Sequence, residues 1–142
     1  MAIELWYLKM DMQGFDFQGL VAAGPLLKRV HYIMTEVWWG KVQSYSGVNN
    51  DFCADQFPYM TRMGFEVLRG EDGYKDPEHI KDKGTGQIDQ LTTQQITELC
   101  ETQRALAYTT GCNEGDVFWK RTGTPLEEPV WREAKENPRR LR

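Results

Sequence analysis

Asp11, Gln13 and Gly14 stand together directly behind the apolar run of residues 3–10. A carboxylate there can accept the proton of a hydroxyl or orient it, an amide can hold the same ligand, and a glycine allows close backbone approach. Buried strands gain stability from apolar burial, so these polar groups are misplaced within a strand and well placed if it ends at Met10. In open α/β sheets, ligands bind at the carboxyl ends of strands. The competing reading is that Asp11 or Gln13 caps the following helix, satisfying its orphan backbone donors. Glu36 closes the next apolar run and can face the same crevice, or it is a solvated loop acid. Trp38 and Trp39 follow it, either walling a substrate pocket or packing over the end of the sheet.

The elements that must position these residues follow from the apolar patterning. Residues 3–10 are bulky, apolar and too few for a stable helix, which predicts a strand. From Gly14 a helical pattern runs through Phe17, Leu20, Val21 and Leu27, and Gly24-Pro25 predicts a break or a new turn within it. Residues 30–37 are β-branched and aromatic and predict a second strand. A helix is expected over 51–63, kinked or started by Pro58 and stopped by Gly64, with a short strand over 65–68. Residues 70–90 are charged and turn-rich, as in an exposed insertion. The sequence "KGTGQ" within them neither follows a strand nor opens a βαβ unit, so it is not assigned a phosphate or cofactor role. Thr92 and Gln95 have capping-box spacing, flanked by Leu91 and Ile96 as a hydrophobic staple, and the helix they open extends towards Gly111. Residues 115–121 form the last strand. This alternation predicts a layered α/β sheet of about four strands, organised as one domain over 1–124 with a charged, loosely ordered tail over 125–142.

Bulk properties exclude several classes of function. A net charge of −4 leaves no broad basic surface, which argues against nucleic-acid binding. Neither His31 nor His79 has ligands at metal-site spacing, so no metal is expected, and His31 reads as a structural hydrogen-bonding group. The apolar start is interrupted by Lys9 and Asp11, and no stretch is long enough to span a bilayer. Cys53, Cys100 and Cys112 form no CxxC pair and leave an odd count, predicting reduced thiols in a cytoplasmic protein.

The stretch "LKMDMQGFDFQGLVAAGPLLKRVHYIMTEV" resembles the C-terminal half of the FkbM-type methyltransferases. Leu8, Lys9, Met10, Asp11, Gln13, Gly14, Phe15 and Asp16 follow the family motif in order, and "SYSG" and "YMTRMGFEV" fall where the family carries a Tyr-containing loop and a helix ending in Gly-Phe. The resemblance implies a Rossmann-like fold using S-adenosylmethionine. The four strands would be the fourth to the seventh of that sheet, mostly parallel with one antiparallel strand and helices on the faces. It also implies that the Asp-x-Gln-Gly segment lies beside the methyl donor and acceptor, with Asp11 as the catalytic candidate and Gln13 and Gly14 as cofactor-binding. Glu36 is a second catalytic candidate, and Trp38 and Trp39 are substrate-binding candidates, by their position at the adjacent strand end alone. The acceptor would be a hydroxyl on a sugar or small metabolite. The family's first three strands and glycine-rich cofactor turn have no counterpart in these residues. The chain is therefore expected to be the C-terminal segment of such an enzyme, or else a non-catalytic remnant serving as a binding or assembly module. In the family the first strand lies beside the fourth, so self-association or partner pairing through residues 3–10 is expected.

Overall fold

The computed structural model describes residues 3–38, 47–68, 88, 91–102 and 114–122. Its strands are β1 (Leu5–Lys9), β2 (Val30–Trp38), β3 (Phe65–Val67) and β4 (Glu114–Arg121), forming one sheet in the order β1-β2-β4-β3. β1 and β2 pair in parallel, whereas β4 runs antiparallel to both β2 and β3. Three strands thus share one direction and the last in sequence opposes them. The mixed α/β class and the strand count are those the alternation predicts.

Helix α1 (Asp16–Ala23) buries Phe17, Leu20 and Val21, the spacing of one helical face. It stops at Gly24, whose φ of 48° is one that a side chain disfavours, and Pro25 opens a 3-10 segment, Gly24–Arg29. The helix expected over 51–63 is resolved into two pieces. A π-helical turn, Phe52–Gln56, leads into α2 (Phe57–Arg62), with Pro58 in its first turn. Proline is tolerated there because the missing N–H would have no partner inside the helix.

Helix α3 (Thr93–Thr102) begins with the reciprocal cap that Thr92 and Gln95 predict. The Gln95 N–H donates to Thr92 Oγ1 at 3.2 Å, and the Thr92 N–H donates to Gln95 Oε1 at 2.9 Å. Ile96 is fully buried and Leu91 packs against the same core. The continuation of this helix towards Gly111, residues 70–90 apart from the buried Ile88, and the tail over 125–142 lie outside the described residues.

The thiol expectation is corrected. Cys53, in the π-helical turn, and Cys100, on α3, form a disulfide with Cα atoms 5.3 Å apart. The pair is 47 residues apart in sequence, so only the packing of α3 beside the turn brings it together. Disulfides belong to oxidising environments. The reading of reduced thiols, on which the cytoplasmic expectation rested, therefore no longer supports it. Among the described residues no helix is long and apolar enough to cross a membrane.

The register of β2 against β4 sets Ile33 beside Trp119 and Thr35 beside Val117, so these residues share one face of the sheet. On that face gather Phe17 and Leu20 of α1, Phe52 of the turn, Tyr59 and Met60 of α2, and Ile96 of α3, in one buried cluster. Phe17 meets Tyr59 edge-on at 5.7 Å, and Phe52 stacks on Trp119 at 6.0 Å. The described helices thus collect on one side of the sheet. Tyr32, Met34, Glu36 and Trp38 alternate onto the other side.

Candidate functional site

β1 and β2 part company at Met10, and the way β2 is completed beyond that point shapes the candidate site. Met10 donates its N–H to Met34 O at 2.8 Å, which is the last ladder bond between the two strands. The next β2 residue facing that side, Glu36, would otherwise lose both backbone partners. Instead Asp16 Oδ1 accepts its N–H at 3.0 Å, while Asn50 Nδ2 and Gln56 Nε2 donate to its carbonyl at 3.0 and 2.8 Å. One step further, Trp38 donates its N–H to Asn50 O at 2.8 Å. Side chains, and then the backbone of residue 50, take the place that β1 vacates. β1 can therefore turn away and present Asp11 and Gln13 without leaving β2 unsatisfied.

This support is buried and cross-linked. Asn50 Oδ1 accepts from the Phe17 N–H and from Gln56 Nε2. Gln56 Oε1 accepts from Thr35 Oγ1 at 2.6 Å, and Thr35 Oγ1 accepts from Trp119 Nε1 at 3.0 Å. Asp51 caps the turn that carries Gln56 by accepting the Ala54 N–H. Asp16 uses its second oxygen to accept the Met12 N–H at 3.2 Å, tying the β1 exit turn to β2. Burial pushes the Asp16 carboxyl above its usual range, against the lowering effect of these two N–H donors, and the nearby Asp11 charge adds to the rise. Burial likewise pushes the Tyr59 phenol up, so it stays protonated and donates to Leu20 O.

Asp11 and Gln13 stand exposed at the end of β1, as their types predict. Gln13 Nε2 donates to Asp11 Oδ1 at 3.1 Å, and Lys9 Nζ lies 3.8 Å from Asp11 Oδ2. The pair can accept and orient a hydroxyl. Gln13 has φ 52° and Gly14 φ 92°, the two left-handed residues that reverse the chain into α1. Gly14 is close to another part of the chain itself. A Cβ at this position would lie 2.2 Å from Trp38 Cζ2, so the indole fills the space beside it. Trp38 is buried and its ring packs against the β1 exit turn.

Glu36 lies inside β2, which runs on through Trp38, and it is buried opposite Asp116 of β4. The structure therefore places Glu36 within the strand, apart from the exposed Asp11 and Gln13, and Asp16 links its backbone to the Met12 N–H of the turn that carries them. Trp39 and the "KGTGQ" segment lie outside the described residues. His31 is a bonding group within β2, with Glu4 Oε2 at 3.1 Å and Arg121 Nη2 at 3.3 Å. Among the described residues no group of His, Cys, Asp and Glu side chains could hold a metal ion.

Sequence reasoning missed Asp16, Asn50 and Gln56 as the residues that position the site. Asp16 carried a signal, since it closes the acid-bearing motif, but capping was assigned to Asp11 or Gln13 instead. Asn50 and Gln56 carried none, because their partners are backbone groups remote in sequence. Compared with protein-family models, curated proteins and solved structures, the chain matches none.

Proposed function

We propose that the chain is the C-terminal portion of a Rossmann-like, S-adenosylmethionine-dependent methyltransferase of FkbM type, whose Asp11–Gln13 pair receives a sugar or small-metabolite hydroxyl. One observation carries this reading. The last strand is antiparallel and is inserted between the second and third of three strands that share a direction. The resemblance requires such an antiparallel strand at the end of its fourth-to-seventh series. The exposed carboxylate–amide pair at the carboxyl end of β1 supports the acceptor assignment, because it leaves acceptor oxygens facing solvent at the place where α/β sheets take ligands.

The described residues do not fit the methyl donor. No glycine-rich turn follows a described strand to cradle it, and at Gly14 the space a ligand would use is filled by the Trp38 indole. No step is therefore assigned to the cofactor. What this chain supplies is a carboxylate, Asp11, that accepts the hydrogen bond or proton of a hydroxyl, and an amide, Gln13, that holds the carboxylate in place.

Calorimetric titration of the purified chain with S-adenosylmethionine tests this reading. No saturable binding is expected. A micromolar Kd, about −8 kcal/mol, would show that the chain builds a cofactor site of its own and is not a partial fold. Co-expression with the cofactor-binding half of an FkbM-type enzyme tests the family assignment. It is expected to give a complex that binds S-adenosylmethionine, in which Asp11→Asn lowers turnover and leaves cofactor affinity unchanged. Failure of the two halves to associate would overturn the assignment. The alternative role, as an assembly module, is favoured by one observation, the exposed apolar residues of β1.

A further inference from the structure

The Cys53–Cys100 bond joins two elements that are held very differently. Cys53 belongs to the Phe52–Gln56 turn, which is fixed from several sides. Phe52 is buried, Gln56 is bonded to the Glu36 carbonyl and to Thr35, and Asp51 caps the start of the turn. Cys100 belongs to α3, which has far fewer ties. Of the side chains described on α3, only Ile96 is fully buried, Leu99 and Cys100 are half-buried, and Gln95, Glu98 and Glu101 are exposed. The reciprocal cap of Thr92 and Gln95 sets where the helix starts, but both residues lie in the same segment and do not attach it to the sheet. A helix of 10 residues does not persist alone in water. α3 therefore depends on its docking, through Ile96 with Leu91 beside it and through the disulfide. Both cysteines pack against the rim of the buried cluster, half-exposed, where a thiolate can reach the bond.

We propose that the Cys53–Cys100 bond is a site of reversible exchange with a dithiol, and that opening it releases α3 while the sheet stays folded. One thiolate of the dithiol attacks a sulfur of the bond, forming a mixed disulfide and freeing one cysteine thiolate. The second thiol of the reagent then displaces the other cysteine and closes the reagent's own disulfide. Two electrons pass to the protein, the two protons given up by the dithiol end on Cys53 and Cys100, and the dithiol is oxidised. An oxidised disulfide reagent drives the step in reverse. Release exposes Ile96 and opens the cluster to water on the side of the turn whose Gln56 completes β2. The sheet does not share this dependence, because β2 and β4 are paired on both sides and carry buried side chains of their own. A bond that acted only as a staple of the whole fold would open only when the chain unfolds. The proposal uses neither Asp11 nor Gln13 and stands apart from the methyl-transfer reading.

Hydrogen exchange of the 142-residue chain with and without dithiothreitol provides the test, on the wild type and in a Cys112→Ser background that leaves Cys53 and Cys100 as the only cysteines. In the oxidised chain the amides of Leu99, Cys100 and Glu101 are expected to be protected at least about a hundredfold. After reduction they are expected to exchange within about tenfold of an unstructured peptide, while Ile33, Thr35 and Val117 keep at least about a hundredfold protection. Removing the dithiothreitol and adding oxidised glutathione is expected to restore the first pattern. Cys100→Ser is expected to show the second pattern without reductant. Reduction is expected to proceed at the same rate with and without about 1 M urea, because no global unfolding precedes it. Amides of α3 that stay protected after reduction, loss of sheet protection together with that of α3, or a reduction rate that rises severalfold in urea would each overturn the proposal.

Discussion

Asp16 accepts two backbone N–H groups, that of Met12 in the β1 exit turn and that of Glu36 within β2. Asp16→Ala removes the acceptor of the buried Glu36 N–H and should cost about 1–3 kcal/mol of stability in urea denaturation, the exposed Met12 N–H turning to water instead. The same residue should shape the acid limb of stability. Burial holds its folded pKa above the ordinary 3.8, so the folded chain binds the proton more tightly than the unfolded chain does. That contribution is complete below pH 3.8 and is lost as pH rises through the folded value. Stability measured across this range should thus favour the wild type over Asp16→Asn more at low pH than at neutrality. A difference that does not change with pH would mean that Asp16 titrates as it does in the unfolded chain. At this scale the sequence was legible where a residue acts on its neighbours. The placement of Asp11, Gln13 and Gly14 just beyond the end of β1 follows from type and spacing. Their support does not, since Asn50 and Gln56 act across the fold on the backbone of Glu36.

The elements were read well where local rules decide them. The reciprocal cap of Thr92 and Gln95 and the break at Gly24-Pro25 depend on residues within a few positions, and both are as patterned. The helix expected over 51–63 has its regular part started at Pro58, as one of the two readings of that proline had it. The wider turn at Phe52–Gln56 was not legible, because it is held by tertiary bonds from Gln56 and by the disulfide at Cys53. That disulfide ties the turn supporting the candidate site to α3. Thiol titration of the denatured chain should find one reactive thiol without reductant and three with it, because two of the three cysteines are paired. Loop-closure entropy over this separation gives an upper figure of about 4 kcal/mol for the stability lost on reduction. Cys53→Ser should lose a comparable amount, and a chain equally stable with and without reductant would contradict the pairing.

For the molecule as a whole, stability is concentrated in the two inner strands. β2 is bonded to β1 on one side and β4 on the other, and β4 lies between β2 and β3. Hydrogen exchange should accordingly be slowest at Ile33, Thr35, Val117 and Trp119, which share the helix-covered face, and much faster at Leu5. The fold class was legible because strand and helix periods alternate along the chain. The order of the strands was not, since placing β4 between β2 and β3 depends on pairing between residues far apart in sequence.

The packing of Trp38 against Gly14 has a consequence for how such chains can vary. Residues 14 and 38 share one volume, with the indole occupying what a methyl group at position 14 would need. A smaller residue at position 38 would remove only one of two obstacles, because the φ of 92° at position 14 is itself one that side chains rarely adopt. In descendants of this sequence glycine should therefore persist at position 14 even where residue 38 has changed, and the freedom to vary lies on the tryptophan side alone.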